Sequence, residues 1–494
     1  LFHRRYPGYY IQNGRWTRPA VPLLPPNGIM PHPFRTTSRL ASVAAAAAAV
    51  SASLHAQSSA TLAAPPGAHV VTVTPAPGPY TEPGIAIDPR NPLHAVGVFQ
   101  NNVHAAWTAD GGRTWTLATG VEPPNFRVSG DVSVAIDLHG HAFLCHIAFD
   151  HTGLSSYWGI GGTRNGVFVR RSLDGGRTWE TSPRVVAEHP VTKPGLKWED
   201  KPYIVADDNP HSKFAGNLYV GWTQFQLDRT VILFSRSTDD GQTWSTPIEI
   251  SSEPGLPRDD NGALVAFDGT VGADGTLYAS WNDRNGIVLA VSHDGGHTFT
   301  RSRLVVPTQP MYFNIASFSR GNGFQEIAID PRPSAGRHGR LYVAWGDYRN
   351  GDIDIFTATS VDGGVTWTSP VRVNTDPVHD GRDQFMQWLA VDPTDGAAYV
   401  MFYDRRSDTT NVHPVVTLAR STDGGRTYVN YAWTAQSFDP SHESFLGDYT
   451  GLAAFGGHVY GIWPEEAQTP APLENGRPAR NTVMRIGAAE FGSH

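Results

Sequence analysis

The chain has 494 residues, 38 basic and 46 acidic, for a formal charge of −8; 40% are apolar, 11% aromatic and 17% charged. These proportions supply a sizeable core and exclude a disordered or fibrous chain. The 51 glycines and 38 prolines follow no collagen period and mark many short strands, and a single cysteine excludes a disulfide framework or a multi-cysteine zinc site.

Residues 1–29 read as a leader or upstream read-through without ordered structure. Met30, then Arg35 and Arg39, an alanine-rich run from Leu40 to Leu54, and Leu54-His55-Ala56 have the layout of a secretory signal over 30–56, with cleavage expected near Ala56. The run is too short and too weakly apolar to span a bilayer. Residues 57–68 read as a linker and 69–491 as one folded domain. Cleavage would remove six arginines and no acid, leaving 32 basic residues against 46 acidic ones, which argues against a nucleic-acid surface. The expected product is a secreted or periplasmic monomer without a membrane span.

Six segments repeat one pattern, beginning at Thr108-Ala-Asp110-Gly-Gly-Arg-Thr114-Trp115 and recurring around Asp174, Asp239, Asp294, Asp362 and Asp423. The spacing of 55 to 68 residues is that of blades or coils in a repetitive fold. Each copy reads as a hairpin turn: the Asp folds onto nearby backbone N–H groups, a glycine takes positive φ, and Thr plus an aromatic residue open the next strand. A second repeat counts seven inner strands, Ile85 to Asp88, Val134 to Asp137, Ile204 to Asp207, Leu264 to Asp268, Ile327 to Asp330, Leu389 to Asp392 and Leu452 to Phe455. Several are followed by Tyr/Trp-rich partners such as Leu218-Tyr-Val-Gly-Trp222. Seven units against six hairpins leave the last unit short of a strand, and an orphan strand, Val70 to Val73, precedes the first. The expectation is an all-β, seven-bladed propeller of four-stranded antiparallel blades, closed by that N-terminal strand, with six blades as the alternative. Cys145, in the apolar run Phe143-Leu-Cys145-His-Ile147, reads as a buried thiol.

The six-fold segment resembles the Asp box (BNR repeat) of the sialidase superfamily, which implies a propeller and, more loosely, action on glycans. In a four-stranded blade the box hairpin and the turn between strands one and two share a face. That assigns Asp88, Asp137, Asp207, Asp268, Asp330 and Asp392 to box-face turns. The opposite mouth receives Arg127, Asp131, Asp200, Asp260, Glu326, Asp383, Asp448, Tyr449 and the acid–Arg turns at Asp347 to Arg349 and Asp404 to Arg406. Carboxylates paired for acid and base work, with arginines to fork a substrate carboxylate, suit a polyhydroxylated and anionic ligand.

The resemblance to exo-sialidases implies roles position by position. Phe126-Arg127-Val128 is similar to the element carrying the first substrate-binding Arg, though Ser129 stands where that element has Pro. Asp150 falls at the general acid, Glu326 at the residue activating a nucleophilic Tyr, Arg349 at the second Arg, and Arg405 or Arg406 at the third. Tyr449, in Gly447-Asp448-Tyr449-Thr450-Gly451, falls at the nucleophile, whose unperturbed pKa near 10 makes an acceptor such as Glu326 necessary. Asp131 and Asp448 would line the sugar. The resulting expectation is an exo-acting hydrolase of terminal, anionic sugars on glycans, without metal or cofactor. The alternatives are a propeller lyase or hydrolase of other specificity, using His151, His379 or His442, and a non-catalytic binding propeller. Tyr157-Trp158, in the loop 153 to 166, could stack on a sugar, and Asp376, His379, Asp380 and Asp383 match no calcium-loop spacing.

Overall fold

The computed structural model describes residues 10–12, 15–17, 62–121, 125–152, 162–190, 197–308, 311–440, 445–469, 473–474, 477–478 and 481–492. The chain divides into two compact units, Leu1–Gln57 and Ser58–His494. In the first, Tyr10–Gln12 pairs antiparallel with Arg15–Thr17. Residues 30–56, expected to be a signal segment, lie outside the described residues.

In the second unit alternating apolar and polar residues fold into seven four-stranded antiparallel sheets, the blades of a propeller. Blade 1 begins at Thr81–Asp88 and ends at Thr116–Leu117; blade 2 runs from Val128–Ile136 to Arg184–His189, and blade 3 from Lys197–Ala206 to Ile248–Glu249. Blade 4 runs from Val265–Val271 to Arg303–Pro307, blade 5 from Glu326–Asp330 to Val371–Arg372, and blade 6 from Gln384–Val391 to Val429–Ala432. Blade 7 takes Gly451–Phe455, His458–Glu466 and Thr482–Glu490 from the C-terminal end and its outermost strand, His69–Thr72, from the N-terminal end. The first strands of successive blades touch around the axis, and that of blade 7 touches that of blade 1, so the ring is closed as the orphan strand implied.

Second strands supply the wedge between blades. Trp222, Trp281, Trp345 and Trp463 are fully buried, and three of their indole N–H groups donate to acids: Trp222 to Glu199 at 2.6 Å, Trp345 to Asp347 at 2.9 Å and Trp463 to Glu465 at 2.8 Å. Trp222 packs with Cys145 and Phe143 of the preceding blade, and burial keeps the Cys145 thiol protonated.

The six repeated segments are hairpins built as expected. At Asp174, Oδ1 accepts the Ser172 hydroxyl and the Thr178 amide, both at 2.8 Å, and Oδ2 accepts the Thr178 hydroxyl at 2.6 Å. Gly176 has φ +82°, and a Cβ there would come within 2.6 Å of Val96 of blade 1, so the glycine also sets the distance between blades. Around Asp110, burial works against ionisation, yet the Thr114 and Thr108 hydrogen bonds prevail and hold the carboxyl down at about 2.

Five of the seven inner strands share a bulge that the sequence repeat does not display. Register shifts between Thr81 and Gly84, Gly130 and Ser133, Asp200 and Tyr203, Val265 and Asp268, and Phe385 and Trp388. In each bulge one non-glycine residue takes positive φ: Glu82 at 48°, Asp131 at 46°, Lys201 at 47°, Ala266 at 61° and Met386 at 51°. The bulge also corrects one expectation. Asp268 is not a box-face turn residue, because its strand continues to Val271 and turns at Gly272. It stands instead at the register of Ser133 and Tyr203 and is buried on the axis, where its Oδ2 accepts the Ile327 amide of blade 5 at 2.8 Å.

Candidate functional site

The bulges place Glu82, Asp131 and Lys201 side by side at the mouth opposite the box hairpins. They line a cavity of about 540 Å3 with Arg127, Asp200, Asp259, Arg320 and Asp448. Glu82 spans the closure of the ring: its Oε1 accepts the Asp448 amide of the loop before blade 7 at 3.0 Å, and its other oxygen accepts the Gln100 side chain. Asp131 Oδ2 accepts the Lys201 amide at 2.9 Å, while the Lys201 ammonium lies 2.9 Å from Asp200 and 3.3 Å from Asp448. With Asp259 at 4.0 Å, one residue therefore holds one acid by its backbone and three by its side chain.

The remaining wall comes from long connections between blades. The segment before blade 5 folds a short hairpin, Tyr312–Phe313 with Gly321–Asn322, against the mouth. Tyr312 donates to Asp259 at 2.6 Å. Arg320 donates through Nη1 to Asp259 at 2.8 Å and through Nε to Asp448 at 2.6 Å, with Nη2 on Asp448 as well.

Burial, then the neighbouring Asp448 charge, lifts the Glu82 carboxyl to about 7. Asp131 is pushed well above the carboxylate range by burial and then by Asp200 and Glu82. Neither acid has an ion-pair partner within 4.0 Å among the described residues, whereas Asp200, Asp259 and Asp448 share Lys201 and Arg320. The site thus contains proton-holding acids and cation-paired carboxylates in one cavity. Lys201→Met should leave three buried acids short of a cation and cost about 3–5 kcal/mol of stability, read by chemical denaturation.

The sequence-derived candidates separate into two groups. Asp131, Asp448 and Arg127 line the cavity, Arg127 at its exposed rim with Nη1 3.3 Å from His151. Asp150 is not among the cavity's lining residues and lies 3.1 Å from Arg164, whose hydrogen bond lowers its pKa. Arg349 is spent on Asp347 and on the faces of Trp345 and Phe356, beside a different groove. Arg405 is fully buried between Phe318 and Phe385 and donates to the Ala316 carbonyl at 2.6 Å. Arg406 pairs with Asp404 at 2.6 Å. None of these three arginines lines the acid cavity.

Tyr449 and Glu326 line a narrower space of about 40 Å3, one step deeper on the axis, with Tyr203, Asp268 and Trp388. The acids acting on the Tyr449 phenol are Glu82, Asp131, Asp448 and Asp200, and with burial they raise its pKa well above 10. Glu326 acts on Tyr203 instead. Burial and then Asp268 push the Glu326 carboxyl well above the usual carboxylate range, which favours its protonated form over the acceptor role expected of it. Asp376 and Asp383 are occupied by Asn374 at 2.9 Å and Asn411 at 2.6 Å. Tyr157-Trp158 and His442 lie outside the described residues.

Sequence reasoning did not single out Glu82, Lys201, Asp259 or Arg320 as site residues. Glu82-Pro83 and Lys201-Pro202, each at the approach to an inner strand, were the available signal. Asp259 and Arg320 sit in connections without strand periodicity and gave none.

Buried acids also set the pH dependence of the fold. Burial raises Asp268 from 3.8 to about 7, so its stabilising contribution is complete below 3.8 and is lost as pH rises through 7. Asp268→Asn should flatten the decline in melting temperature between about pH 4 and 8.

No protein-family model matches the chain, and no curated protein matches it. Solved structures resemble it at low identity. The Hadza microbial sialidase Hz136 is 17% identical, with 82% of this chain and 75% of that one covered and a TM-score of 0.45. The α-L-arabinofuranosidase Arb93A from Fusarium graminearum is 14% identical over 74% and 95% of the two chains, with a TM-score of 0.44. A polysaccharide lyase of family PL25, an ulvan lyase, is 12% identical over 84% and 95%, with a TM-score of 0.47. Those activities belong to those proteins; the propeller here rests on its own strand pairing.

Proposed function

We propose that this chain is an exported, carbohydrate-active propeller that hydrolyses glycosidic bonds at the mouth opposite its box hairpins. Asp131 donates a proton to the leaving oxygen, and Asp200, ion-paired with Lys201, serves as base or nucleophile. The carrying observation is the pairing of two unlike carboxyl groups in one cavity, Asp131 pushed well up and partly open to the space, Asp200 2.9 Å from an ammonium. An acid whose protonated form is favoured, beside a carboxyl group paired with an ammonium, is what acid-assisted cleavage of an acetal requires. The layout of residues 30–56 supports export.

A sialidase-type variant of this reading has one observation in its favour: the Tyr449 phenol is surrounded by carboxyl groups, with Glu82 and Asp131 acting on it in place of Glu326. The test is release of free sugar from a panel of aryl glycosides and polysaccharides by the full chain, with Asp131→Asn, Asp200→Asn and Tyr449→Phe. Loss in both Asp variants with Tyr449→Phe active supports the carboxylate pair. Loss in Tyr449→Phe, with sialosides as the substrate, favours the phenol nucleophile. Binding without turnover across the panel assigns a binding propeller.

A further inference from the structure

The charge and depth of the cavity determine which sugar it admits. Recognition of a sugar carboxylate needs cations with donors to spare, in a planar fork or at a point charge. All three guanidinium nitrogens of Arg320 are committed to Asp259 and Asp448. The Lys201 ammonium is shared among Asp200, Asp448 and Asp259 at 2.9, 3.3 and 4.0 Å. Arg127 is the remaining lining cation, and it is exposed at the rim beside His151. Beside these stand five acids, of which burial favours the protonated form of Glu82 and Asp131, while Asp200, Asp259 and Asp448 are already paired with Lys201 and Arg320. Arg349 and Arg405, the other arginines a carboxylate-binding set would draw on, are held elsewhere by Asp347 and by the Ala316 carbonyl. A carboxylate deep in this cavity would find both inner cations already shared among Asp200, Asp259 and Asp448, with Arg127 left only at the rim.

The floor is closed as well. At the register below the acids, Tyr203, Trp388 and Tyr449 from blades 3, 6 and 7 converge, with ring centroids 5.7 Å apart for Tyr203 and Trp388 and 6.1 Å for Trp388 and Tyr449. The space they leave, about 40 Å3, has room for about one water. The 540 Å3 above them is in the range of small-molecule sites, about 300–1,000 Å3. A polysaccharide cannot thread the channel; a chain end can enter it.

We infer that the cavity takes a single uncharged sugar residue at the end of a glycan and rejects sugars carrying a carboxylate. This rests on the hydrolase reading for its site, and it replaces the anionic substrate expected from sequence. Phe149 and Phe445, which line the cavity, offer faces on which the apolar side of a sugar ring can stack, while the acids accept its hydroxyls.

The test uses the full chain with nitrophenyl glycosides of neutral hexoses and pentoses, a nitrophenyl glucuronide and an aryl sialoside, together with ligand-observed NMR of the free sugars. Turnover of at least one neutral glycoside, with the charged ones at least about 100-fold slower, is expected, since taking a carboxylate out of water without a free cation to pair it costs several kcal/mol. Comparable or faster turnover of the glucuronide or sialoside overturns the inference and leaves the hydrolase reading standing. If no glycoside is cleaved, the hydrolase reading fails, and NMR still decides this one: saturation transfer to neutral sugars alone upholds it. Transfer to the acidic sugars, or to neither class at millimolar concentration, overturns it. Asp259→Asn, which removes the carboxylate charge paired with Nη1 of Arg320, should narrow the discrimination against carboxylated sugars by about 10-fold. An unchanged ratio in a folded Asp259→Asn protein counts against the charge argument.

Discussion

Asp131→Asn should reduce hydrolysis of a glycoside with a poor leaving group by about 10²–10⁴-fold, the usual worth of a positioned general acid. The substitution keeps shape, and the amide oxygen of Asn can still accept the Lys201 N–H that Asp131 accepts at 2.9 Å, so the bulge and the fold should survive. The loss should depend on the leaving group. A nitrophenolate departs without a proton, so aryl glycosides should retain far more activity in this variant than alkyl glycosides or oligosaccharides. A purely structural role for Asp131 would lower both alike. The alkaline side of the rate profile carries a second signature. Burial with Asp200 and Glu82 raises the Asp131 carboxyl well above the carboxylate range, so wild-type activity should persist to pH values at which an ordinary carboxylic acid has long been ionised, and then fall as that proton leaves. In Asp131→Asn the residual aryl-glycosidase activity should lack that fall. Asp200→Asn should be as damaging, but without leaving-group dependence, because it removes the partner of the Lys201 ammonium and not the proton donor.

The way the site assembles explains which parts of it were legible in the sequence. Box hairpins announce themselves because one Asp must satisfy several local donors, a requirement that fixes Ser or Thr, Gly and Thr around it. Inner strands and the closing strand are legible for a similar reason: each obeys an alternation that one buried face imposes. From these the blade count, the closure and the sorting of faces follow, and Asp131, Asp448 and Arg127 are placed at the mouth opposite the box hairpins, where they line the cavity. What escapes is whatever depends on register. A bulge adds a residue without changing composition, so Asp268 looked like a strand-end turn residue and is instead buried on the axis. The same device turns Glu82 and Lys201 into the cavity although their strands read as ordinary. Arginine roles are the least legible, because an Asp-x-Arg turn satisfies itself: Asp347 with Arg349 and Asp404 with Arg406 close as local ion pairs, and the guanidinium the cavity uses, Arg320, arrives from an inter-blade connection.

Removing residues 1–74 should abolish folding and activity together, by comparison with a chain beginning at residue 62. The strand lost is only four residues long, yet it is the outer strand of blade 7, pairing His69 with Ala488, Val70 with Gly487, Val71 with Ile486 and Thr72 with Arg485. Its flanks add to the attachment: the Ala63 carbonyl accepts the Ala432 amide of blade 6 at 2.9 Å, and the Pro66 carbonyl accepts the Glu490 amide at 2.8 Å. Without them Thr482–Glu490 becomes an open edge, a template for association with other chains. Blade 1 also loses the covalent and hydrogen-bonded path by which the N-terminal end is drawn against blade 7. That seam is where Glu82 accepts the Asp448 amide at 3.0 Å, so the acid cluster is divided between the two ends of the propeller and exists only in the closed ring. The truncated chain should aggregate, with no cooperative melting transition and no turnover. A synthetic peptide of residues 62–76, added during refolding, should restore both by supplying the strand in trans. Recovery of the fold without recovery of turnover would separate closure from the site, whereas a truncated chain that melts cooperatively and remains active would show that blade 1 and blade 7 hold each other through their inner strands alone.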